Sequence, residues 1–198
     1  MKLIVFTSPQ FLPNEGLLIN KLFACGIDRL HLRKLGSSVA DCERLIQSIA
    51  EEWRASIVLH DHFELCPKWH LGGVHLNSRN PNPPQEHVGT VSRSCHSTRE
   101  VEQWKKECNY LTLSPIFNSI SKQGYMGAFS DEQLLEARQH GIISNKVVAL
   151  GGVTLNNIPK ARCMGFGGVA LLGDVWGRIE GGDDAWQYVR ALRRATDE

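Results

Sequence analysis

Residues 146–173 constrain the fold of this chain more than any other stretch of the sequence. Two short apolar runs rich in β-branched residues, 147–150 and 169–172, flank a helical segment, and glycine follows each of them. This order predicts a βαβ unit with parallel strands. Glycines at neighbouring strand ends leave backbone N–H groups accessible, and barrel enzymes commonly bind phosphate after their last two strands. Alternatively, the glycines serve only as tight turns.

The same alternation of strand and helix runs through the whole sequence. Predicted strands cover residues 1–7, 29–33, 56–59, 73–76, 88–92, 110–113, 147–150 and 168–172. Predicted helices cover residues 16–24, 39–53, 63–69, 98–106, 131–140, 156–164 and 184–195, with the one after the fourth strand missing or vestigial. Eight such units close a barrel, so we expect one compact α/β domain, a (β/α)8 TIM barrel, over residues 1–198. An open doubly wound sheet is the structural alternative.

Charge and cysteine spacing argue against several classes of protein. A formal net charge of +1 gives no electrostatic reason to expect nucleic acid or a membrane as a partner. The first apolar run, residues 3–6, is too short for a signal peptide or a membrane span. The six cysteines include no CxxC pair, which suits neither a zinc site nor a disulfide framework. We therefore expect free thiols and a cytoplasmic location.

Polar and titratable side chains recur where the predicted strands end, which is the catalytic face of a TIM barrel. These strand-end residues are Arg33, Lys34, His60, Asp61, His75, His96, Ser114, Gly151, Gly152 and Gly173. The opposite strand ends carry no comparable group of histidines. This concentration at one end is the main functional signal in the residues themselves.

The histidines also have structural interpretations. His31 and His75 should point into the barrel, where a hydrogen-bonded structural role is common, although Arg33 beside His31 favours an anion site. His60 and Asp61 could form a turn that caps the next helix. His96 lies in a polar turn, where an imidazole can shuttle protons or take part in a cap.

A metal site is not expected from the spacing of these residues. Their separations are irregular, and the sequence has no HxH or HxxxH pair among them. Lys122 follows a serine-rich loop, where most lysines are merely solvated.

Six segments in order carry a family resemblance. They are HLRK (31–34), LHD (59–61), GGVHLNSRN (72–80), SRSCHS (92–97), YLTLSPIFNSISK (110–122), and VALGGVTLNNI (148–158) with GGVALLG (167–173). Together they resemble the thiamine phosphate synthase superfamily, which includes the thiazole tautomerases. The resemblance covers nearly the whole chain and implies a TIM barrel. It also implies a thiazole phosphate site at Gly151, Gly152, Leu172 and Gly173.

The chain departs from the synthase pattern where the resemblance implies pyrophosphate and magnesium. Synthases have glutamine, lysine, asparagine and aspartate at the positions of His31, Leu35, His60 and Asn80. Only Arg33 and Asp61 are retained. A neutral asparagine offers Mg²⁺ less charge than a carboxylate does. No cofactor is therefore expected, unless the chain is a synthase that holds Mg²⁺ through Asp61.

The tautomerases of the superfamily keep the thiazole phosphate site and use no metal. The chain is similar to them at HxRxx and at Arg93, Ser94, His96 and Ser97. The resemblance implies that His96 moves the proton that aromatises a thiazole carboxylate phosphate, while Arg33 orients the carboxylate. His31, His60, Asp61, His75, Ser114 and Lys122 are the other expected pocket residues.

The leading hypothesis is therefore a metal-independent thiazole tautomerase whose partner is a small phosphorylated thiazole. One alternative is a thiamine phosphate synthase that joins thiazole phosphate to a pyrimidine pyrophosphate with Mg²⁺. The other is a non-catalytic protein that binds thiazole phosphate. Assembly into a homo-oligomer is left open.

Overall fold

Eight parallel strands pair in sequence order and close into one barrel in the computed structural model, which describes residues 1–85, 89–118, 128–182 and 184–198. The strands are β1 (Lys2–Phe6), β2 (Arg29–Leu32), β3 (Ile57–Leu59), β4 (Gly73–Leu76), β5 (Thr90–Cys95), β6 (Tyr110–Leu113), β7 (Val147–Leu150) and β8 (Gly168–Leu171). The barrel closes between β1 and β8, where Leu3 is the partner of Val169. The predicted TIM barrel is confirmed, and the open sheet is excluded.

Helices surround this barrel. They are α1 (Glu15–Ala24), α2 (Val39–Gln47), α3 (Glu51–Arg54), α4 (Leu65–Lys68), α5 (Thr98–Trp104), α6 (Asp131–Gln139), α7 (Ile158–Cys163), α8 (Gly173–Gly181) and α9 (Ala185–Asp197). A short 3-10 helix, Leu155–Asn157, precedes α7. Between β4 and β5 the described residues form no helix, as predicted. No described helix has both the length and the apolar character that a membrane span requires.

Alternation along each strand divides the buried residues between two cores. Leu3 and Val5 point outward and pack in the large core between strands and helices. Ile4 and Phe6 point inward, where they form a small apolar cluster with residues of β7 and β8. The rest of the interior is partly polar, because His31, His75, Ser92 and Thr112 are also fully buried.

The fifth strand was predicted too early and too short, at residues 88–92. Its described part runs from Thr90 to Cys95, and residue 88 lies outside the described residues. Beyond residue 92 the strand continues through its pairing with β6, and the Ser94 hydroxyl bonds to His75 on β4 inside the barrel. Serine has no strong strand preference, so the local pattern did not reveal this.

Two helix predictions were also wrong. The predicted helix over 39–53 begins as expected, with the Ser38 side chain accepting the Asp41 N–H, but it breaks after Gln47. The break is stabilised by Asn20 of α1, whose side-chain oxygen accepts the Ala50 N–H. The glycine-rich residues 173–181 form α8, which was not predicted. Most other predicted limits differ from the observed limits by no more than two residues.

The cysteines are all free thiols, as expected from their spacing. Five of them are buried, and Cys163 is exposed. Burial raises the pKa of the Cys95 thiol to about 12, so this group packs as a neutral apolar side chain.

Candidate active site

A cavity of about 990 Å³ opens at the C-terminal ends of the strands. Every strand or the loop after it contributes to the wall, through Phe6, Arg33, His60, Asn77, His96, Ser114, Gly151 and Leu172 in strand order. Gly152 and Gly173 line it as well. The parallel barrel therefore brings most of the expected site residues to one pocket, because all of its strands end on the same face.

The remaining expected residues lie elsewhere. His31 and His75 are fully buried in the barrel. Asp61 sits beside the pocket and is bound by neighbouring side chains, as described below. Lys34 points away from the pocket, since its ammonium group bonds to both oxygens of buried Glu15. Lys122 lies outside the described residues.

Both glycines after β7 are required by the backbone. Gly151 and Gly152 have positive φ angles of 92° and 64°, which disfavour residues with a side chain. A Cβ atom would lie 2.9 Å from the Pro115 Cα atom at Gly151, and 2.4 Å from the Asn118 carbonyl oxygen at Gly152. The turn therefore requires glycine at both positions, and a ligand role is compatible with this requirement because both glycines line the pocket.

Helix α8 begins at the pocket wall. Leu172 is its N-cap residue and Gly173 its first residue, so Gly173 starts a helix instead of the predicted turn. The N-terminus of a helix carries unpaired N–H groups and partial positive charge, which favour a phosphate. The Trp176 indole holds α8 in place by donating a 2.6 Å hydrogen bond to the Phe6 carbonyl oxygen.

Four arginines give the pocket its positive character: Arg33, Arg79, Arg93 and Arg178. Burial lowers the pKa of Arg33, although a guanidinium group stays charged in proteins. The Arg93 guanidinium lies 3.9 Å from the centre of the Trp104 ring, which orients it. Because only two carboxylates, Glu100 and Asp174, line the described wall, the pocket suits an anionic ligand.

Several of these residues were missed from the sequence. Arg178 and Asp174 belong to α8, and they form an ion pair of 3.5 Å with the i,i+4 spacing of a helix. This i,i+4 spacing is a sequence signal for a helix, but the surrounding glycines argued against one. Glu100 lines the pocket but was not among the expected site residues. Its carboxylate accepts the backbone N–H of His96 and so fixes the loop that carries this histidine.

His96 is the exposed imidazole of the pocket. Its Nδ1 atom lies 3.2 Å from the Ser114 carbonyl oxygen and 3.4 Å from the Ser114 hydroxyl. When Nδ1 donates to this carbonyl oxygen, which can only accept, the neutral ring has its lone pair on Nε2. That tautomer is suited to act as a base toward a ligand in the pocket.

Three further imidazoles form hydrogen bonds inside the barrel. His31 Nδ1 lies 2.9 Å from His60 Nε2, and His31 Nε2 lies 2.7 Å from the Tyr110 hydroxyl. His75 bonds through both ring nitrogens, at 2.8 Å, to the hydroxyls of Ser92 and Ser94. The predicted inward direction of His31 and His75 is confirmed, and their contacts link different strands.

These three buried rings are neutral. Burial, together with nearby positive groups, holds the pKa of His31 and of His60 well below the usual value. The same causes lower the pKa of His75 to about 3. A neutral imidazole has one donor and one acceptor nitrogen, so its hydrogen bonds have a fixed direction at any moment.

The side chains of this region can be tested as ligands for two kinds of metal ion. The nitrogens of His31, His60 and His75 lie within 4.8 Å of one another, close enough for a transition metal, which the irregular sequence spacing did not reveal. Magnesium prefers oxygen ligands, and Asp61 is the carboxylate retained at the implied magnesium positions. Its oxygens accept from the Arg79 guanidinium at 3.3 Å and from the Asn80 amide at 2.9 Å. The residues present do not fit Mg²⁺.

The fold and the pocket together define a class, a TIM-barrel protein with an anion-binding pocket at the strand ends. A family model described as thiamine monophosphate synthase matches residues 5–175, and the chain belongs to this family. The superfamily resemblance of the sequence is confirmed.

Relatives and solved structures agree with this assignment. The chain is 22% identical over 89% of its length to the thiamine-phosphate synthase of Halalkalibacterium halodurans, 88% of which is covered. It is 26% identical over 74% of its length to that of Phocaeicola vulgatus, 76% of which is covered. A solved thiamine phosphate pyrophosphorylase from Bacteroides thetaiotaomicron has a TM-score of 0.90 and 39% identity, covering 100% of this chain and 98% of that one. These names belong to thiamine biosynthesis, and they favour the synthase alternative over the tautomerase.

Proposed function

We propose that this protein acts on a phosphorylated thiazole in thiamine biosynthesis and works as a thiazole tautomerase without a metal. The environment of Asp61 carries the proposal. Arg79 and Asn80 both bond to this carboxylate, and no second carboxylate stands at the positions that a synthase would use for Mg²⁺. The implied pyrophosphate lysine is also replaced, by Leu35, which is 48% exposed.

The substrate phosphate binds at the end of the barrel formed by β7 and β8. Backbone N–H groups after β7 and at the start of α8 contact its oxygens, and the helix dipole adds to this attraction. Gly151, Gly152, Leu172 and Gly173 line this part of the pocket. Arg33 follows β2, which is separated from β8 by β1 alone, and its guanidinium faces the carboxylate of the thiazole, where it can bind both oxygens.

His96 moves the proton. Its Nε2 lone pair takes a proton from one carbon of the thiazole, and the resulting imidazolium returns it to another carbon. The contact between Nδ1 and the Ser114 carbonyl oxygen holds the ring in the tautomer that this step requires and stabilises the charged intermediate. Bonds to hydrogen are broken and formed once each, so the substrate is isomerised with no change in composition.

A thiamine phosphate synthase remains the second candidate. The names of the relatives favour it, and Arg33 and Asp61 are retained. It requires Mg²⁺ to displace Arg79 and Asn80 from Asp61, or to bind elsewhere.

One pair of assays separates the candidates. The purified protein is incubated with the non-aromatic thiazole carboxylate phosphate, and separately with aromatic thiazole phosphate, pyrimidine pyrophosphate and Mg²⁺. We expect aromatisation in the first assay, unaffected by EDTA, and no thiamine phosphate in the second. Formation of thiamine phosphate would reverse the assignment. Thermal stabilisation by the thiazole without any conversion would identify a binding protein.

The variant His96→Asn tests the acid/base residue. We expect kcat for aromatisation to fall by about 10²- to 10⁴-fold with little change in KM, because the proton transfer is lost and the phosphate contacts remain. His140→Asn is the matched control, since this exposed histidine also contacts a backbone carbonyl oxygen through Nδ1 but follows the end of α6, outside the pocket lining. Unchanged turnover in His96→Asn would remove His96 from the mechanism.

A further inference from the structure

One face of α8 forms the pocket wall that leads away from the start of this helix. Two i,i+4 pairs lie on that face and line the pocket, Gly173 with Gly177 and Asp174 with Arg178. A Cβ atom at Gly177 would meet no atom within 4 Å, so the wall between the helix start and Arg178 is open. A ligand at the first turn of α8 can therefore approach the Arg178 side chain.

The Arg178 guanidinium reaches back to this first turn. Side chains on a helix tilt toward its N-terminus, and the Nε atom of Arg178 lies 3.5 Å from the Oδ1 atom of Asp174. The guanidinium also stacks on the ring of Tyr188 in α9, 3.9 Å from the ring centre. These two contacts fix its plane, whereas its two terminal nitrogens have no hydrogen bond within the described residues. Both nitrogens are therefore available to an anion in the pocket.

Asp174 would repel a phosphate at the same place if its charge were not offset. Its carboxylate belongs to the first turn of α8 and lines the pocket. The Tyr188 hydroxyl donates to the Oδ2 atom of Asp174, and Arg178 faces the Oδ1 atom, so both oxygens have a partner. Burial and the Asp174 carboxylate raise the pKa of Tyr188 to about 12, so its hydroxyl keeps the proton that it donates.

Tyr188 also connects the two elements that form the phosphate end of the pocket. Its hydroxyl oxygen accepts the backbone N–H of Leu155, at 3.1 Å, in the segment that follows the glycine turn after β7. The same hydroxyl holds Asp174 in the first turn of α8, and the same ring carries Arg178. Tyr188 itself is not part of the described pocket lining. Its contacts therefore act on a ligand only through other residues.

We propose that Arg178 is a direct ligand of the substrate phosphate and that Tyr188 is a positioning residue for it. The proposal deepens the proposed function and rests on its phosphate site. Arg178 donates from its two terminal nitrogens to two phosphate oxygens, while the backbone N–H groups at the start of α8 bind the phosphate from the helix side. A guanidinium fork matches two oxygens of one phosphate, so this subsite selects the phosphorylated thiazole over its free alcohol.

Calorimetric titration with the product of the proposed reaction tests Arg178 without turnover. Aromatic thiazole carboxylate phosphate is compared with the same molecule lacking its phosphate. In Arg178→Gln we expect Kd for the phosphorylated ligand to rise by about tenfold or more, because charge-assisted hydrogen bonds are lost, and Kd for the alcohol to change by less than about twofold. Arg178→Lys keeps the charge without the fork and should give an intermediate Kd. Equal weakening of both ligands, or weakening of neither, would overturn the proposal.

Two other arginines serve as controls for this comparison. Arg44→Gln removes a guanidinium that also pairs with an aspartate of its own helix, Asp41 of α2, but lies outside this pocket, so both Kd values should match the wild type. Arg33→Gln removes the contact proposed for the carboxylate, which both ligands carry. It should therefore weaken both ligands by the same factor.

The variant Tyr188→Phe tests the positioning role. It keeps the ring on which Arg178 stacks and removes the hydroxyl, so Asp174 loses a donor and competes with the phosphate for Arg178. We expect Kd for the phosphorylated ligand to rise by about threefold or more. Adding Asp174→Asn should return this Kd to the wild-type value or below, which a purely structural role of Tyr188 does not predict. Absence of this rescue would refute the positioning role. If Tyr188→Phe does not fold, Asp174→Asn alone tests the same point, and its Kd should fall.

The inference and the proposed function can fail separately. During turnover, Arg178→Gln should raise KM with little change in kcat, because its contact lies at the phosphate and not at the reacting carbons. Aromatisation with an unchanged KM in this variant would keep the tautomerase and overturn Arg178 as a ligand. Phosphate-dependent binding that is lost in Arg178→Gln, without any aromatisation by the wild type, would keep the ligand role and refute the tautomerase. A wild-type protein that does not bind the phosphorylated ligand would overturn both.

Discussion

At the scale of single residues, the barrel interior is notable for how completely most buried polar atoms are paired. Lys34 shows this best, because its buried ammonium contacts the carbonyl oxygens of Ser8 and Gln10 and both oxygens of Glu15. Thr112 is an exception, since its buried hydroxyl has no hydrogen-bond partner within the described residues. A buried polar group without a partner reduces stability.

Replacing Thr112 with valine should therefore stabilise the protein. We expect the free energy of unfolding in urea to rise by about 1 kcal/mol, since the hydroxyl is removed and the side-chain volume is kept. Thr7→Val is the matched control. Thr7 is equally buried, but its hydroxyl donates to the Arg33 carbonyl oxygen and accepts the Arg33 N–H, so a loss of about 1–3 kcal/mol is expected. A loss in Thr112→Val would show that its hydroxyl is satisfied.

At the scale of elements, helix α1 lies against the C-terminal end of α2 at Gly16. A Cβ atom at this position would lie 2.1 Å from the Ser48 hydroxyl oxygen and 2.8 Å from the Ser48 carbonyl oxygen. Rotation could move the hydroxyl, but the carbonyl is fixed by the end of α2. The close packing of the two helices therefore depends on glycine.

A pair of glycine-to-alanine variants tests this contact. Gly16→Ala should lower the free energy of unfolding by about 1–3 kcal/mol, because α1 or Ser48 must move. Gly177→Ala in α8 meets no atom within 4 Å and should raise it by about 0.5–1 kcal/mol, through the better helix propensity of alanine. Equal effects of the two substitutions in thermal or urea unfolding would contradict the packing argument.

The elements also show what local sequence patterns can predict. Seven of the eight strands were found because buried parallel strands are short apolar runs between turn residues, and these signals lie within each segment. The failures depend on distant contacts. The Asn20 side-chain oxygen accepts the Ala50 N–H between α2 and α3, and the Phe6 carbonyl oxygen accepts from Trp176 and anchors α8. A single-sequence pattern contains no information about these partners.

At the scale of the whole molecule, the fold brings residues that are distant in the sequence together in one site. Knowing that parallel strands end on one face was enough to predict that Arg33, His60, His96 and Gly151 share a pocket. It was not enough to predict which side chains bond to one another. The contact between His31 and His60, and the binding of Asp61 by Arg79, depend on strand stagger and rotamers that the sequence does not display.

The buried imidazoles make the stability of the whole barrel sensitive to acid. The folded-state pKa values of His31, His60 and His75 are lowered by burial, whereas an unfolded histidine has a pKa near 6.5. Below about pH 6.5 the unfolded chain therefore binds more protons than the folded chain does. The free energy of unfolding consequently decreases as the pH is lowered. The loss continues down to about pH 3 for His75.

We expect the free energy of unfolding to be flat from pH 8 to 7 and to fall between pH 6.5 and 5. Each buried histidine contributes a slope of up to about 1.4 kcal/mol per pH unit, or about 4 kcal/mol per unit for three. Urea unfolding at several pH values measures this slope. His75→Gln should reduce it by about one third. Equal stability at pH 5 and 7.5 would contradict neutral burial.

The choice of arginine around the pocket has a consequence for how the protein responds to its surroundings. All the basic groups of the described lining, apart from His60 and His96, are guanidinium groups. Because guanidinium keeps its charge far into the alkaline range, the attraction that holds an ionised ligand does not vary with acidity there. In the proposed reaction, the proton is moved by the His96 imidazole instead. Anion binding and proton transfer thus depend on separate sets of side chains. A change in pH can alter proton transfer while the charge that binds the ligand stays constant.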